Sequence, residues 1–338
     1  MPDANDPFSL SNNYIYSIIE DSQKILWVGT DNGLNRFDRK LNRFHNYFHQ
    51  VDNQESLISN RIYSINEDRF GALWVGTDSG LCQFDRNEEK FIRFSYTASD
   101  QSSLSHNSVR TIYEDRSGIL WIGTDNGLNR FDRENQSFFR YVHDPKDPYS
   151  LSDNGILAVY EDEDRNLWIG TARGGLNYFD RDKNRFFAYE KDPGDPYCLS
   201  DNQVNAIYED TLGRLWIATQ NGGLNIYHKD KKIFTHMINF SVGSIEKTID
   251  RILNIYEDNS GVLWFGSYGT GALKLNIEAE RFLHFKADPR NPNSLSHPHT
   301  RAFFEDSQGL LWVGSDGGGV DIINRKTGIY SNLRHEPN

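Results

Sequence analysis

Paired carboxylates recur along this chain, and a carboxylate pair is a common device for general acid–base chemistry. The pair appears as Glu20-Asp21, Glu67-Asp68, Glu114-Asp115, Glu161-Asp162, Glu209-Asp210, Glu257-Asp258 and Glu305-Asp306. A reaction needs its acid and base once, so seven copies argue for a place in the scaffold. Each pair opens the pattern Glu-Asp-x-x-Gly-x-Leu-Trp, with Lys24 and Arg165 where Gly is expected. There the Asp accepts bonds from turn amides and the Gly supplies a positive φ. Gly317-Gly318-Gly319 invites a phosphate-loop reading, yet no helix and no Lys-Ser/Thr follows it. Cys82 and Cys198 fall at different repeat positions, which argues against a disulfide, and the ten histidines are read as scattered. Neither a metal nor a cofactor is expected.

The elements behind these residues follow from seven tryptophans, Trp27, Trp74, Trp121, Trp168, Trp216, Trp264 and Trp312, spaced 47 or 48 residues apart. A period in the forties marks a propeller or stacked array. Each unit holds four short apolar or alternating runs divided by turn signals, the length of strands rather than helices. In the first repeat they predict strands near 14–20, 25–30, 34–38 and 43–48. Four antiparallel strands in each of seven units give an all-β, seven-bladed β-propeller. The expected blades run over 9–49, 56–96, 103–143, 150–190, 198–238, 245–286 and 294–335, as a single domain. Each Trp is expected to fill the space between its own blade and a neighbour. Complete blades at both ends predict that blades one and seven meet through side-chain packing alone.

The unit from Asn107 to Arg133, NSVRTIYEDRSGILWIGTDNGLNRFDR, resembles the two-component regulator propeller repeat, and the resemblance covers residues 9 to 335 in seven copies. It implies the extracytoplasmic input region of a membrane-bound hybrid histidine kinase, often sensing carbohydrate. It also implies flanking sensor and kinase domains as partners, and it supplies no catalytic residues.

Function is expected in the departures from the repeat. The turns between the second and third strands diversify in the last four blades, as in Ala172-Arg173-Gly174-Gly175, Gln220-Asn221-Gly222-Gly223 and Tyr268-Gly269-Thr270-Gly271. The start of each innermost strand is equally unrepetitive. Together they nominate Arg61, Arg110, Arg251, Arg301, Arg173, Tyr268, Tyr16, Tyr63, His299 and Gln220 as ligand-binding residues at a central mouth. Arg offers a planar fork to carboxylate or sulfate, and Tyr a flat face to a sugar ring. The linker from Asn239 to Lys247 abandons the Ser-Leu-Ser pattern of the others.

Composition narrows the classes. Net charge is −12, from 36 basic and 48 acidic residues, which disfavours nucleic acid or an anionic membrane as partner. No apolar run approaches the roughly 20 residues of a membrane span. The termini, Asp3 to Leu10 and His335 to Asn338, read like inter-blade linkers, so the segment is expected to be a slice of a longer protein. A saccharide-sensing ectodomain is favoured, with a second protomer as a candidate partner. The alternatives are an interaction scaffold without a small ligand and a sialidase- or lyase-like enzyme.

Overall fold

The computed structural model describes residues 7–237, 239–242, 245–248, 251–276 and 281–335; most of the linker-like run before Pro7, and residues 336–338, lie outside them. Among the described residues the chain forms seven four-stranded sheets and one two-stranded sheet, with no helix. In the first sheet β1 (Ile15–Glu20), β2 (Leu26–Thr30), β3 (Gly33–Asp38) and β4 (Arg43–Tyr47) lie side by side in chain order. These bounds fall within a residue of the predicted strands. The other four-stranded sheets span residues 62–94, 109–141, 156–189, 204–237, 252–285 and 300–333. The sheets are the antiparallel blades of a β-propeller. By compactness the chain divides into two units, Met1–Phe94 with Gly266–Leu273 and His284–Asn338, and Ser95–Phe265 with Lys274–Leu283.

The second strand of every blade is buried along its whole length, as a strand covered on both faces must be. All seven Trp side chains are buried. Within the first unit Trp27 meets Phe84 of the next blade edge-on at 5.4 Å, and Trp312 meets Phe37 in the same way. In the second unit Trp121 meets Phe179, and Trp168 meets Tyr227. Removing such a ring costs about 3–5 kcal/mol.

The repeated carboxylates form a latch beside each Trp. Asp21 accepts the Gln23 and Ile25 amides through Oδ1, and the Trp27 indole N–H at 2.8 Å through Oδ2. The indole bond recurs at 2.7–2.9 Å in the other six blades. A cation from a neighbouring blade closes several of the latches, as where Arg86 donates to Asp21 and Glu67, and Arg181 to Asp115 and Glu161; on Asp210 the cation is Arg214 of the same turn. The expected turn role holds, and Lys24 and Arg165 do adopt left-handed φ, 64° and 65°, in place of Gly.

One expectation is corrected. Within the first unit, blades one and seven join through backbone as well as side chains. The Gly317 and Gly319 amides donate to the Asn13 carbonyl at 2.9 and 3.0 Å, and Tyr14 bridges Asp316. Asn13 also exchanges two bonds with the His335 backbone. Asn60 does the same for the junction of blades one and two, taking the Gly33 amide on its carbonyl and the His49 amide on its side chain. The linker before the sixth blade adds a hairpin the repeat did not predict, with Asn239–Val242 paired antiparallel to Ile245–Thr248; Gly243 and Ser244 lie outside the described residues.

Candidate functional site

The start of the innermost strand carries a β-bulge in six of the blades, an extra residue that re-aims its side chain. In β1, Ile15 pairs with Thr30 and Ser17 with Gly29, which leaves Tyr16 unpaired between them. The same irregularity isolates Tyr63, Arg110, Leu157, Asn205 and Arg301. Four of the ten nominated residues are therefore bulge residues, a feature the sequence reading missed. The signal was present: buried residues three apart, Ile15 and Ile18 or Ile62 and Ile65, break strict alternation. Arg61, Arg251 and His299 stand two places earlier, while Gln220 and Tyr268 open the turns after the second strands.

Bulge and turn residues fifteen apart bond to each other. In the first unit the Arg301 guanidinium gives Asp316 two bonds of 2.7 Å, and the Tyr16 hydroxyl donates to Asp31 at 3.1 Å. Arg61 donates to the same Asp31 oxygen at 2.6 Å. Arg301 also lies 5.1 Å from the Tyr16 ring centroid, and Tyr63 meets Tyr16 edge-on at 5.4 Å. Tyr268, 41% exposed, lies flat on His299 with centroids 3.9 Å apart, and His297 stands edge-on to His299 at 4.9 Å. His297-Pro298-His299 is thus an organised pair that reading the histidines as scattered overlooked. Among the described residues no group of three or more His, Cys, Asp or Glu is arranged to hold a metal.

The second unit carries its own set. Arg110 makes a two-pronged pair with Asp125 at 2.7 and 2.9 Å. Asn205 donates to Gln220 at 3.1 Å and to the Ile252 carbonyl at 2.9 Å. Arg173 is exposed in its turn, and Arg251 is exposed with φ 50° just before its strand. Asp31, Asp125 and Asp316 went unnominated because an Asp opens several of these turns, and repetition looked structural.

Burial, then the charge of Asp31, pushes the Tyr16 phenol up to about 12, so it remains a donor at neutral pH. Burial and the neighbouring His297 hold His299 below the usual imidazole value, which keeps the ring uncharged beneath Tyr268. The first unit therefore offers a flat aromatic platform beside donors and acceptors fixed by ion pairs. Such a surface suits a polar, ring-shaped ligand. Cys82 is buried, with its thiol pushed up to about 12, and Cys198 stands in a linker bonded to Asp192; both are free thiols.

Blades of this wording, with variable polar residues at the strand starts, define a regulatory β-propeller. The chain belongs to the two component regulator propeller family, whose repeat matches residues 9–32, 56–79, 103–126, 150–173, 198–221, 248–269 and 294–317. It is similar to the extracellular domain of a protein assigned as a hybrid two component system from B. thetaiotaomicron, with 27% identity and a TM-score of 0.78 over 94% of this chain and 42% of that one. A second extracellular domain from B. thetaiotaomicron, assigned to a one component system, shares 24% identity with a TM-score of 0.51, over 97% of this chain and 56% of that one. The chain thus spans about half the length of these two relatives or less. Virginiamycin B lyase from Staphylococcus aureus shares the fold, with a TM-score of 0.66 at 11% identity over 92% of this chain and 96% of that one. No curated protein matches the chain. Among the described residues no helix is long and apolar enough to cross a membrane.

Proposed function

We propose that this chain is the extracytoplasmic input propeller of a two-component sensor, and that it binds a saccharide on the face of the first unit. The observation that carries the ligand class is the exposed Tyr268 ring stacked on His299, near the Arg301–Asp316 pair. A sugar ring lays its C–H face on such a platform, and its hydroxyls exchange bonds with groups already held in place. Tyr16, Tyr63 and Arg61 extend the surface. Similarity to a sensor's extracellular domain supports the regulatory role, with kinase segments elsewhere in the parent protein.

The ion pairs refine how the arginines act. Arg61, Arg110 and Arg301 each already face a carboxylate, so they orient acceptors as well as offering donors. A ligand matched to this surface is polyhydroxylated, and charge on it is secondary. The chain binds and does not turn its ligand over, since the repeated carboxylates are spent on Trp and turn amides. The test is to titrate the purified chain with neutral and acidic oligosaccharides while following product formation. Saturable binding without product is expected. Steady product release that disappears in Arg301→Ala would replace the sensor reading with an enzyme.

A further inference from the structure

A second recess lies at the outer edge of the first blade, where the turn between β3 and β4 meets the turn before β2. It encloses about 490 Å³, within the range of small-molecule sites. Lys24, Lys40, Arg43 and His45 line it, together with Phe8, which lies 4.4 Å beneath the Arg43 guanidinium. Two further arginines of the wall are already neutralised, Arg36 by Glu89 and Arg39 by Glu20 and Asp306. Lys24, Lys40 and Arg43 make no ion pair among the described residues. Asp38 also lines the recess, opposite Arg43 across the strands; its Oδ1 accepts the Lys40 and Leu41 amides at 2.9 and 3.1 Å.

Lys24 brings a third cation to the recess, from the turn before β2. Its turn position is Gly71, Gly118, Gly213, Gly261 and Gly309 in five other blades, all with φ between 75° and 86°. Lys24 holds φ 64° there and Arg165 holds φ 65° at the same place in the fourth blade, so the left-handed turn belongs to the repeat, and what is particular to the first blade is the cation it puts beside this recess. With Arg36 and Arg39 already paired, Lys24, Lys40 and Arg43 stand against the single carboxylate of Asp38 in the lining, which leaves the recess net positive on a chain of net charge −12. We infer that this recess binds a small polyanion carrying two or more phosphate or sulfate groups, with Lys24, Lys40 and Arg43 as its main donors. The site is separate from the Tyr268 face and does not depend on the function proposed for it.

The test is calorimetric titration with inorganic tripolyphosphate and with a sulfated disaccharide at low and moderate salt. One site per chain is expected, with affinity falling at least tenfold between about 20 and 200 mM salt as screening rises. Lys40→Glu combined with Arg43→Glu should weaken binding by more than tenfold. Lys24→Gly should weaken it about threefold without lowering the melting temperature, because glycine suits the turn. Tyr268→Ala should leave it unchanged. A response to only one probe identifies phosphate or sulfate as the natural group, and either response supports the site. Absence of saturable binding to both probes at low salt overturns the inference, as does equal affinity in the wild type, Lys24→Gly and the double variant.

Discussion

Asp321 occupies a position where four other blades carry Asn35, Asn129, Asn177 and Asn225. Each of those amides accepts a linker N–H, from Ser11, Ser105, Ser152 and Ser200, and Asn35 and Asn129 also donate to a strand carbonyl. Asp321 keeps the first bond, to Ser296 at 2.9 Å, and draws in Asn332. It is buried, and burial raises its pKa against the opposing bonds from Ser296 and Asn332. A raised native pKa means the folded state holds the proton more tightly. Stability therefore falls as pH rises from the unfolded carboxyl value near 3.9 through the native one. Asp321→Asn should raise stability at pH 7 by about 1 kcal/mol, with the gain vanishing toward pH 4. Thermal melts at several pH values check this, and a gain independent of pH would contradict it. The Asn-to-Asp change went unremarked in the sequence, and burial at that depth is a tertiary fact the sequence could not supply.

At the scale of elements, the strands were legible because apolar alternation and turn residues repeat seven times. The latch was half legible. Its turn amides follow from Asp and Gly at fixed spacing, whereas Trp and an arginine more than 60 residues away meet only in the folded blades. The bulges escaped for a different reason: alternation was read as continuous, although Ile15 and Ile18 are both inward. The same oversight hid why Tyr16, Arg110 and Arg301 stand apart from the strand ladder. In the latch, Arg181 serves two fully buried carboxylates, Asp115 and Glu161. Burial alone would raise the Asp115 pKa, but bonds from the Trp121 indole and Arg181 outweigh it and hold the carboxyl below its ordinary value. That stabilisation is present above the unfolded carboxyl pKa and is lost as pH falls through the native one. Arg181→Ala should cost about 2–3 kcal/mol at pH 7, less than a fully buried pair because the guanidinium is partly exposed. Denaturant titration at pH 7 and pH 3.5 reads it, with the smaller loss expected at the acidic end. An equal loss at both values would remove the carboxylates from the account.

For the whole molecule, a repeated scaffold divides the residues into those the fold requires and those it leaves free. The seven latches and the buried second strands belong to the first class. Tyr268, His299, Arg61 and Arg301 belong to the second, and composition alone could not have ordered them into a stacked pair beside ion pairs. A bound ligand shifts an equilibrium only through its differential affinity for two states. The proposed sensor therefore needs flanking segments that read whether this face is occupied. The most direct measurement is amide hydrogen exchange on the chain with and without a saccharide taken from the binding panel. The account predicts slowed exchange in the segments around residues 14–16, 61–63, 266–273 and 297–301, and no such change in Tyr268→Ala. Protection confined to other segments, or unchanged by that substitution, would contradict a saccharide site on this face.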